Sequence, residues 1–381
     1  MFNQSDYEKQ FASFLGEHLH AFSFWKGRVA LYAILRALDI QSGDEVILPA
    51  YTCVVVPNAI QLCGAKPVYV DINPTDYSID SALVEDAITG KTRAILVQHT
   101  YGIPGPLEAV LAIARKHDLF VIEDACHALG SRLNGKVLGT LGDAAFFSSQ
   151  WSKPYTTGLG GMAVTAAPKI AGNIQRVKNN FLSPAFGART KLVLQYDLFS
   201  AFYSPRMFWL AQGLLRKLSS LGLFVGSSSD AELEGMSPQD HDWVMGPFQE
   251  RVGIKQLRRY QKNLPERKVL MGFYREGLVQ AGVTQSDYGE ETILLRYPVR
   301  VKNKWSLLEK AQAARVELGD WFVSPLHPID LNDHGKFGYT LGQCPISEQA
   351  AEETINLPLN QWMSLREAER TLGFVLKNAK I

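Results

Sequence analysis

The stretch from Gly43 to Ile72, GDEVILPAYTCVVVPNAIQLCGAKPVYVDI, decides the fold. It reads as a short apolar strand (DEVILPA), a helical run (VVVPNAIQLCG) and a second short apolar strand (KPVYVDI). Strands with near-continuous Val and Ile belong to parallel sheets covered on both faces, and a helix between two of them makes a βαβ unit. Toward the N-terminus the helical run ALYAILRAL precedes it. Toward the C-terminus SALVEDAI, RAILVQHT, LEAVLAIARKH, LFVIEDA and DAAFFSS repeat the alternation as far as about residue 165. The expectation is an α/β fold built on a mainly parallel sheet. Ligands of such sheets sit at the carboxyl ends of the strands. Polar residues stand at those ends: Tyr51 and Thr52 after VILPA, His99 and Thr100 after AILVQ, and Asp124 at the end of LFVIED.

Further out the pattern changes. Residues 250–381 carry long helical segments, the short strands TILLRYPVRV and DWFVSPL, and a polar terminal helix, SLREAERTLGFVLKNAK. The expected division is a large unit over residues 1–245 and a smaller α+β unit over 246–381. At 381 residues the chain exceeds the roughly 250 to 300 at which single cores stop growing. The segment from about 183 to 240 fits neither pattern, being apolar and aromatic, broken by Pro205, and followed by a loop-like SSSDAELEGMSPQD. With 39 basic against 38 acidic residues, bulk charge calls for neither nucleic acid nor an anionic surface. Cys53, Cys63, Cys126 and Cys344 show no C-x-x-C pairing, and MFNQSDYEKQ lacks a basic and then apolar leader, so the compartment expected is the cytoplasm.

Three features carry candidate chemistry. Asp124 ends a buried strand, where a carboxylate is costly unless it meets a cation or hydrogen-bond donors; an ion pair or a helix cap would equally explain it. In FFSSQWSKPYTTGLGGMAV a strand ends in Ser148 and Ser149, Lys153 follows, and a glycine-rich turn leads into another strand. A lysine amine becomes nucleophilic when desolvated, and hydroxyls with free N–H groups suit a phosphate; a surface lysine beside a turn is the plain alternative. Lys26, Gly27 and Arg28 open the helix ALYAILRAL, where terminal amides and a guanidinium could hold an anion. Arg28 could instead be an ordinary surface charge.

Taken together, GDEVILPAYTCVVVPNAIQLCGAKPVYVDI, VIEDACHALGS, GTLGDAAFFSSQWSKPYTTGLGGMAVT, VSPLHP and CPISEQAAEETINLPL resemble the DegT/DnrJ/EryC1/StrS family of pyridoxal-phosphate (PLP) sugar aminotransferases. The resemblance implies the PLP-dependent transferase fold type I, with a sheet of the seven-stranded kind. It also implies a homodimer with shared active sites, and transfer of an amino group from glutamate or glutamine to a keto sugar, usually nucleotide-linked. Carried over by position, Lys153 is the Schiff-base lysine and proton carrier, Asp124 the partner of the pyridine nitrogen, Ser148 a phosphate ligand, and His127 a residue against the cofactor. Thr52 and His327 are expected on the substrate side. No metal is expected.

Several positions depart from the family pattern. Gly27-Arg28 stands where Gly-Thr is usual, and Cys53 stands where an aromatic stacks on the ring. Asp242 falls where a neighbouring-subunit Asn would touch the phosphate, and an aspartate would repel it; Arg28 could compensate. A non-catalytic PLP or sugar sensor is the alternative that these departures leave open. A related sugar dehydratase has His at the lysine position, which Lys153 opposes. In the 183–240 segment, extra helices packed on the protein are one expectation. The other is a membrane-surface face made of Phe199, Phe202, Tyr203, Phe208, Trp209 and Leu214 beside Arg206, Arg216 and Lys217.

Overall fold

The computed structural model describes the chain except residues 1, 3, 203–227, 285, 287, 361 and 362. Its centre is a seven-stranded sheet. The strands are β1 (His20–Phe24), β2 (Glu45–Pro49), β3 (Lys66–Val70), β4 (Thr92–Gln98), β5 (Phe120–Asp124), β6 (Ala144–Ser148) and β7 (Gly161–Thr165). Their spatial order is β1-β7-β6-β5-β4-β2-β3. All neighbours are parallel except β7, which runs antiparallel to both β1 and β6. The mainly parallel sheet read from the sequence is therefore present.

Register brings the strand ends together. Gln98 of β4 pairs with Asp124 of β5, Asp124 pairs with Phe146 of β6, and Ser148 pairs with Gly161 of β7. Helix α1 (Asp6–Leu15), α2 (Gly27–Ala37), α3 (Val55–Leu62), α4 (Leu107–His117) and α5 (Pro168–Asn179) cover the sheet. Helix α2 is buried almost all round, with Val29, Leu31, Ile34 and Leu35 packed on Leu48, Leu96, Ile122 and Phe146 in one cluster. Ile47, Ile95 and Val121 face a separate cluster with Leu107 and Val110 of α4, so successive strand residues feed the two faces. At about 25 cal/mol per Å2 of apolar area, each such Leu or Ile contributes roughly 1.5–3 kcal/mol.

After the sheet, α6 (Phe186–Phe202) leads to the undescribed residues, and α7 (Pro247–Gln280) follows. The first half of α7 places Leu257 and Tyr260 in a core with Tyr7, Phe11 and Phe147. Beyond Pro265 its Leu270, Tyr274 and Leu278 join the second core, with Tyr297, Ile355 and Leu357. Those belong to an antiparallel pair, β8 (Arg296–Arg300) and β9 (Thr354–Pro358). Helices α8 (Lys304–Ala313), α9 (Pro345–Glu353) and α10 (Leu365–Asn378) complete this region. The terminal helix forms where the polar run predicts it. Ser364 and Glu367 make a capping box, and Ala368, Thr371, Leu372 and Val375 bury one stripe at helical spacing.

The strand expected over DWFVSPL does not form. Only Leu326 and His327 pair, in parallel with Thr52 and Cys53, while Trp321 and Phe322 lie in a loop. That ladder brings the loop to the carboxyl end of β2. No described helix is long and apolar enough to cross a membrane. Of the residues expected on a membrane-facing surface, Tyr203, Arg206, Phe208, Trp209, Leu214, Arg216 and Lys217 lie outside the described residues, as does the side chain of Phe202. Phe199 is a correction. Its ring packs on Trp151, centroids 4.9 Å apart, and lines a cavity beside Lys153 instead of facing outward.

Candidate active site

A pocket of about 570 Å3, open to solvent, lies at the carboxyl ends of β4, β5 and β6. Gly27, Arg28, Cys53, Asp124, His127, Ser148 and Lys153 all line it. Residues far apart in sequence thus meet where a parallel sheet places its ligands. The substrate-side candidates do not reach it. Thr52 is buried with its hydroxyl donating to Gln98 Oε1 at 2.7 Å, a fixed internal bond. His327 stands behind Phe322, ring centroids 5.3 Å apart, and its Nδ1 accepts the N–H of Val323. Burial pushes His327 down to about 4, so it is neutral at physiological pH.

Lys153 and His127 form the centre of the pocket. Lys153 Nζ lies 2.9 Å from His127 Nε2. The backbone N–H of Tyr101 donates to His127 Nδ1 at 3.2 Å, which assigns the ring proton of the neutral imidazole to Nε2. Nε2 faces the Lys153 nitrogen, the atom that would attack a carbonyl. Burial first, then the positive charges of Lys153 and Arg296, hold His127 well below the usual histidine range, which keeps that imidazole neutral.

Asp124 is fully interior. Burial pushes its carboxyl above the usual range, while the Cys126 N–H, 3.0 Å from Oδ1, and the Lys153 charge pull the other way. A carboxylate in that state accepts a nearby cation readily. Beside it on the same strand, Glu123 meets the His99 ring at 3.0 Å and accepts the N–H groups of Gly139, Leu141 and Gly142. Burial works to raise Glu123, but those contacts win and hold it low. His99 Nδ1 accepts from Gly105 N–H, so the whole end of β5 is pinned.

The third wall is the entrance to α2. Its N-cap, Lys26, has no side-chain cap bond, and the first turn faces the pocket beside Ser148. Two glycines make this approach possible. A Cβ on Gly161 would sit 2.2 Å from the Lys26 carbonyl, and one on Gly27 would sit 3.0 Å from Ser148 Cβ. The charges here differ from the sequence reading, in which Arg28 was free to take a phosphate. Arg28 Nη1 lies 2.6 Å from Glu232, whose carboxylate is fully buried in the short helix Asp230–Leu233. Lys26 Nζ is 2.7 Å from Asp240 and 3.6 Å from Glu232. Both acids lie in the loop-like run that gave no sequence signal for such a role. Asp242 does not line the pocket; its carbonyl accepts the N–H of Leu182.

Trp321 and Phe322 were missed by the sequence reading, although they adjoin VSPLHP. The Trp321 ring stacks on His127 at 5.3 Å with an interplanar angle of 16°, and Lys153 Nζ stands 4.9 Å from its centroid. Phe322 lines the pocket together with Cys53, whose side chain is too small to cover a ring alone. All four cysteines are free thiols.

The chain belongs to the DegT/DnrJ/EryC1/StrS aminotransferase family, whose model matches residues 3–193 and 241–375. The internal unmatched stretch, residues 194–240, falls inside the segment that fits neither pattern of the sequence. A GDP-perosamine synthase of Caulobacter vibrioides is 31% identical over 277 residues, 73% of this chain but 62% of that enzyme. A "pleiotropic regulatory protein" of Geobacillus stearothermophilus is 30% identical over 349 residues, 89% of this chain and 80% of that protein. Among solved structures, DesV of S. venezuelae in complex with a ketimine intermediate superposes with a TM-score of 0.74 at 24% identity, over 97% of this chain and 87% of that one. That likeness establishes the PLP-transferase fold type I.

Proposed function

We propose that the protein is a PLP-dependent aminotransferase that moves an amino group from glutamate or glutamine to a keto sugar, with a nucleotide-linked sugar as the favoured acceptor. The observation that carries this reading is the Lys153 amine, 2.9 Å from a neutral His127 and in one pocket with Asp124. The residues present fit the cofactor. Lys153 would hold it covalently through its amine, Asp124 would meet its ring nitrogen, and Ser148 with the first turn of α2 would face its phosphate. When bound, PLP supplies an aldehyde and an electron-accepting ring.

The side chains have separable roles. Lys153 holds the cofactor and, once displaced by the incoming amine, carries a proton at the donor's Cα as general base and acid. His127 would orient that amine through its Nε2, 2.9 Å away. Asp124 acts through its charge, keeping the ring nitrogen protonated. Trp321 and Phe322 exclude water from the Lys153 side of the pocket. The perosamine synthase relative supports a nucleotide-linked sugar as acceptor, and the family supports a homodimer whose neighbouring subunit completes the site.

The test is to load the purified protein with PLP, add L-glutamate or L-glutamine, follow the visible absorbance, and then screen keto-sugar nucleotides for its return. Conversion by a donor and return with an acceptor is the expected result. K153A should lose both the absorbance and the activity; a K153A variant that keeps both overturns the assignment. The regulatory relative favours a second reading, a PLP-binding sensor. A loaded protein that no amino donor converts would favour it.

A further inference from the structure

A second cavity, of about 580 Å3, also borders Lys153, and Asp124, His127 and Ser148 do not line it. Its charged wall consists of Arg267, Arg296 and Glu317. Arg267 is committed to the fold, since its buried guanidinium donates to the carbonyls of Leu294 and Leu295 at 2.9 and 3.2 Å. Those bonds hold the backbone that leads into β8 and so aim the next residue, Arg296. The Arg296 guanidinium lies over the Trp321 ring, 4.7 Å from its centroid, and Lys153 Nζ lies 4.9 Å from the same centroid. A Cβ on Gly319 would come within 2.7 Å of Arg296 Nη1, so the glycine leaves room for the guanidinium. Among the described residues no hydrogen bond or ion pair engages the Arg296 guanidinium, while its backbone pairs with Pro358 in the β8–β9 ladder.

We propose that Arg296 receives the α-carboxylate of the amino-acid donor. The inference rests on the aminotransferase reading for the identity of that donor. An amino acid whose amine reaches the position held by Lys153 carries its carboxylate one carbon away. Desolvating that carboxylate inside a cavity requires a cation with parallel N–H groups close to Lys153. Arg296 is such a group, and its seat over the Trp321 ring holds it in place before any ligand arrives. Glu317 shares the cavity, and the Asn360 amide donates to it at 3.2 Å. Burial raises the Glu317 carboxyl above the usual range, while the Arg296 charge and the Asn360 bond pull the other way.

The probe is 2-oxoglutarate, the carboxylate product of glutamate donation, titrated calorimetrically into PLP-loaded protein, with UDP titrated in parallel. R296Q should weaken 2-oxoglutarate binding on the order of 10- to 100-fold, the range for loss of a charge-assisted pair. R296K keeps the charge without the fork and should fall between wild type and R296Q. Its retained cofactor absorbance serves as the folding control if R296Q does not fold. Wild-type affinity for 2-oxoglutarate in R296Q, or in R296K where R296Q is lost, overturns the proposal. So does an Arg296 dependence confined to UDP, which would assign the site to a phosphate. Arg296-dependent binding without any amine transfer would sustain the carboxylate site and reject the aminotransferase reading, so the two fail separately.

Discussion

Replacing Glu232 by Gln tests the charge balance around the first turn of α2. The substitution keeps size and hydrogen-bonding shape and removes one charge from a cluster of two cations and two carboxylates. With the Arg28 and Glu232 charge centres roughly 4 Å apart and an effective dielectric of about 20, the lost attraction is about 4 kcal/mol. Relief from desolving the carboxylate, and the bonds an amide still makes to Ser229, offset part of this, leaving about 2–3 kcal/mol of lost stability in the cofactor-free protein. The same change makes the cup one unit more positive, so phosphate groups should bind more tightly, on the order of tenfold for about 1.4 kcal/mol. Urea unfolding of cofactor-free E232Q and wild type measures the first effect. Titration with PLP, followed by tryptophan fluorescence, measures the second. Unchanged stability together with unchanged or weaker PLP binding would refute the account of this cluster.

Asp124→Asn removes a carboxyl whose folded pKa is raised by burial, so its cost to the cofactor-free fold grows as pH rises through that pKa. Cofactor-free D124N should therefore be at least as stable as wild type at pH 7, while its transamination rate falls by about 100-fold or more; stopped-flow assays and urea melts check the pair. His127 and His327 have folded values below the ordinary 6.5, so the unfolded chain takes up protons first and stability is lost as pH falls below about 6.5. H127Q/H327Q should flatten that decline between pH 6.5 and about 4, and urea midpoints across the range would expose a failure. Gly27→Ala would put a Cβ 3.0 Å from Ser148 Cβ and 3.3 Å from the Phe147 carbonyl. It should lower PLP affinity more than it lowers the urea midpoint, and an equal loss of both would mean that Gly27 serves only the packing of α2.

The fold was largely legible because a covered parallel sheet leaves a strong local signature. DEVILPA, KPVYVDI, RAILVQHT and LFVIEDA each carry an unbroken apolar run, as strands covered on both faces do. SALVEDAI was read as a helix and forms only a short helix, Ser81–Val84, followed by a 3-10 turn, because little of it is buried. DWFVSPL was read as a short strand. Its aromatic rings instead pack on His127 and Lys153, a destination that no local propensity encodes.

By itself the sequence determined the βαβ alternation, the strand-end placement of Asp124 and Ser148, and the position of Lys153 just after that strand. Each is a short-range property of backbone and burial. Only the tertiary structure decided what meets those residues. Asp71, at the end of KPVYVDI, accepts the N–H groups of Ile346 and Ser347 and so caps α9 from across the chain. Glu232 and Asp240 take the charges of Lys26 and Arg28. Trp321 brings Arg296 to the side of Lys153. Charge pairing and ring stacking act through space over a few ångströms, between residues whose separation along the chain carries no trace of the contact.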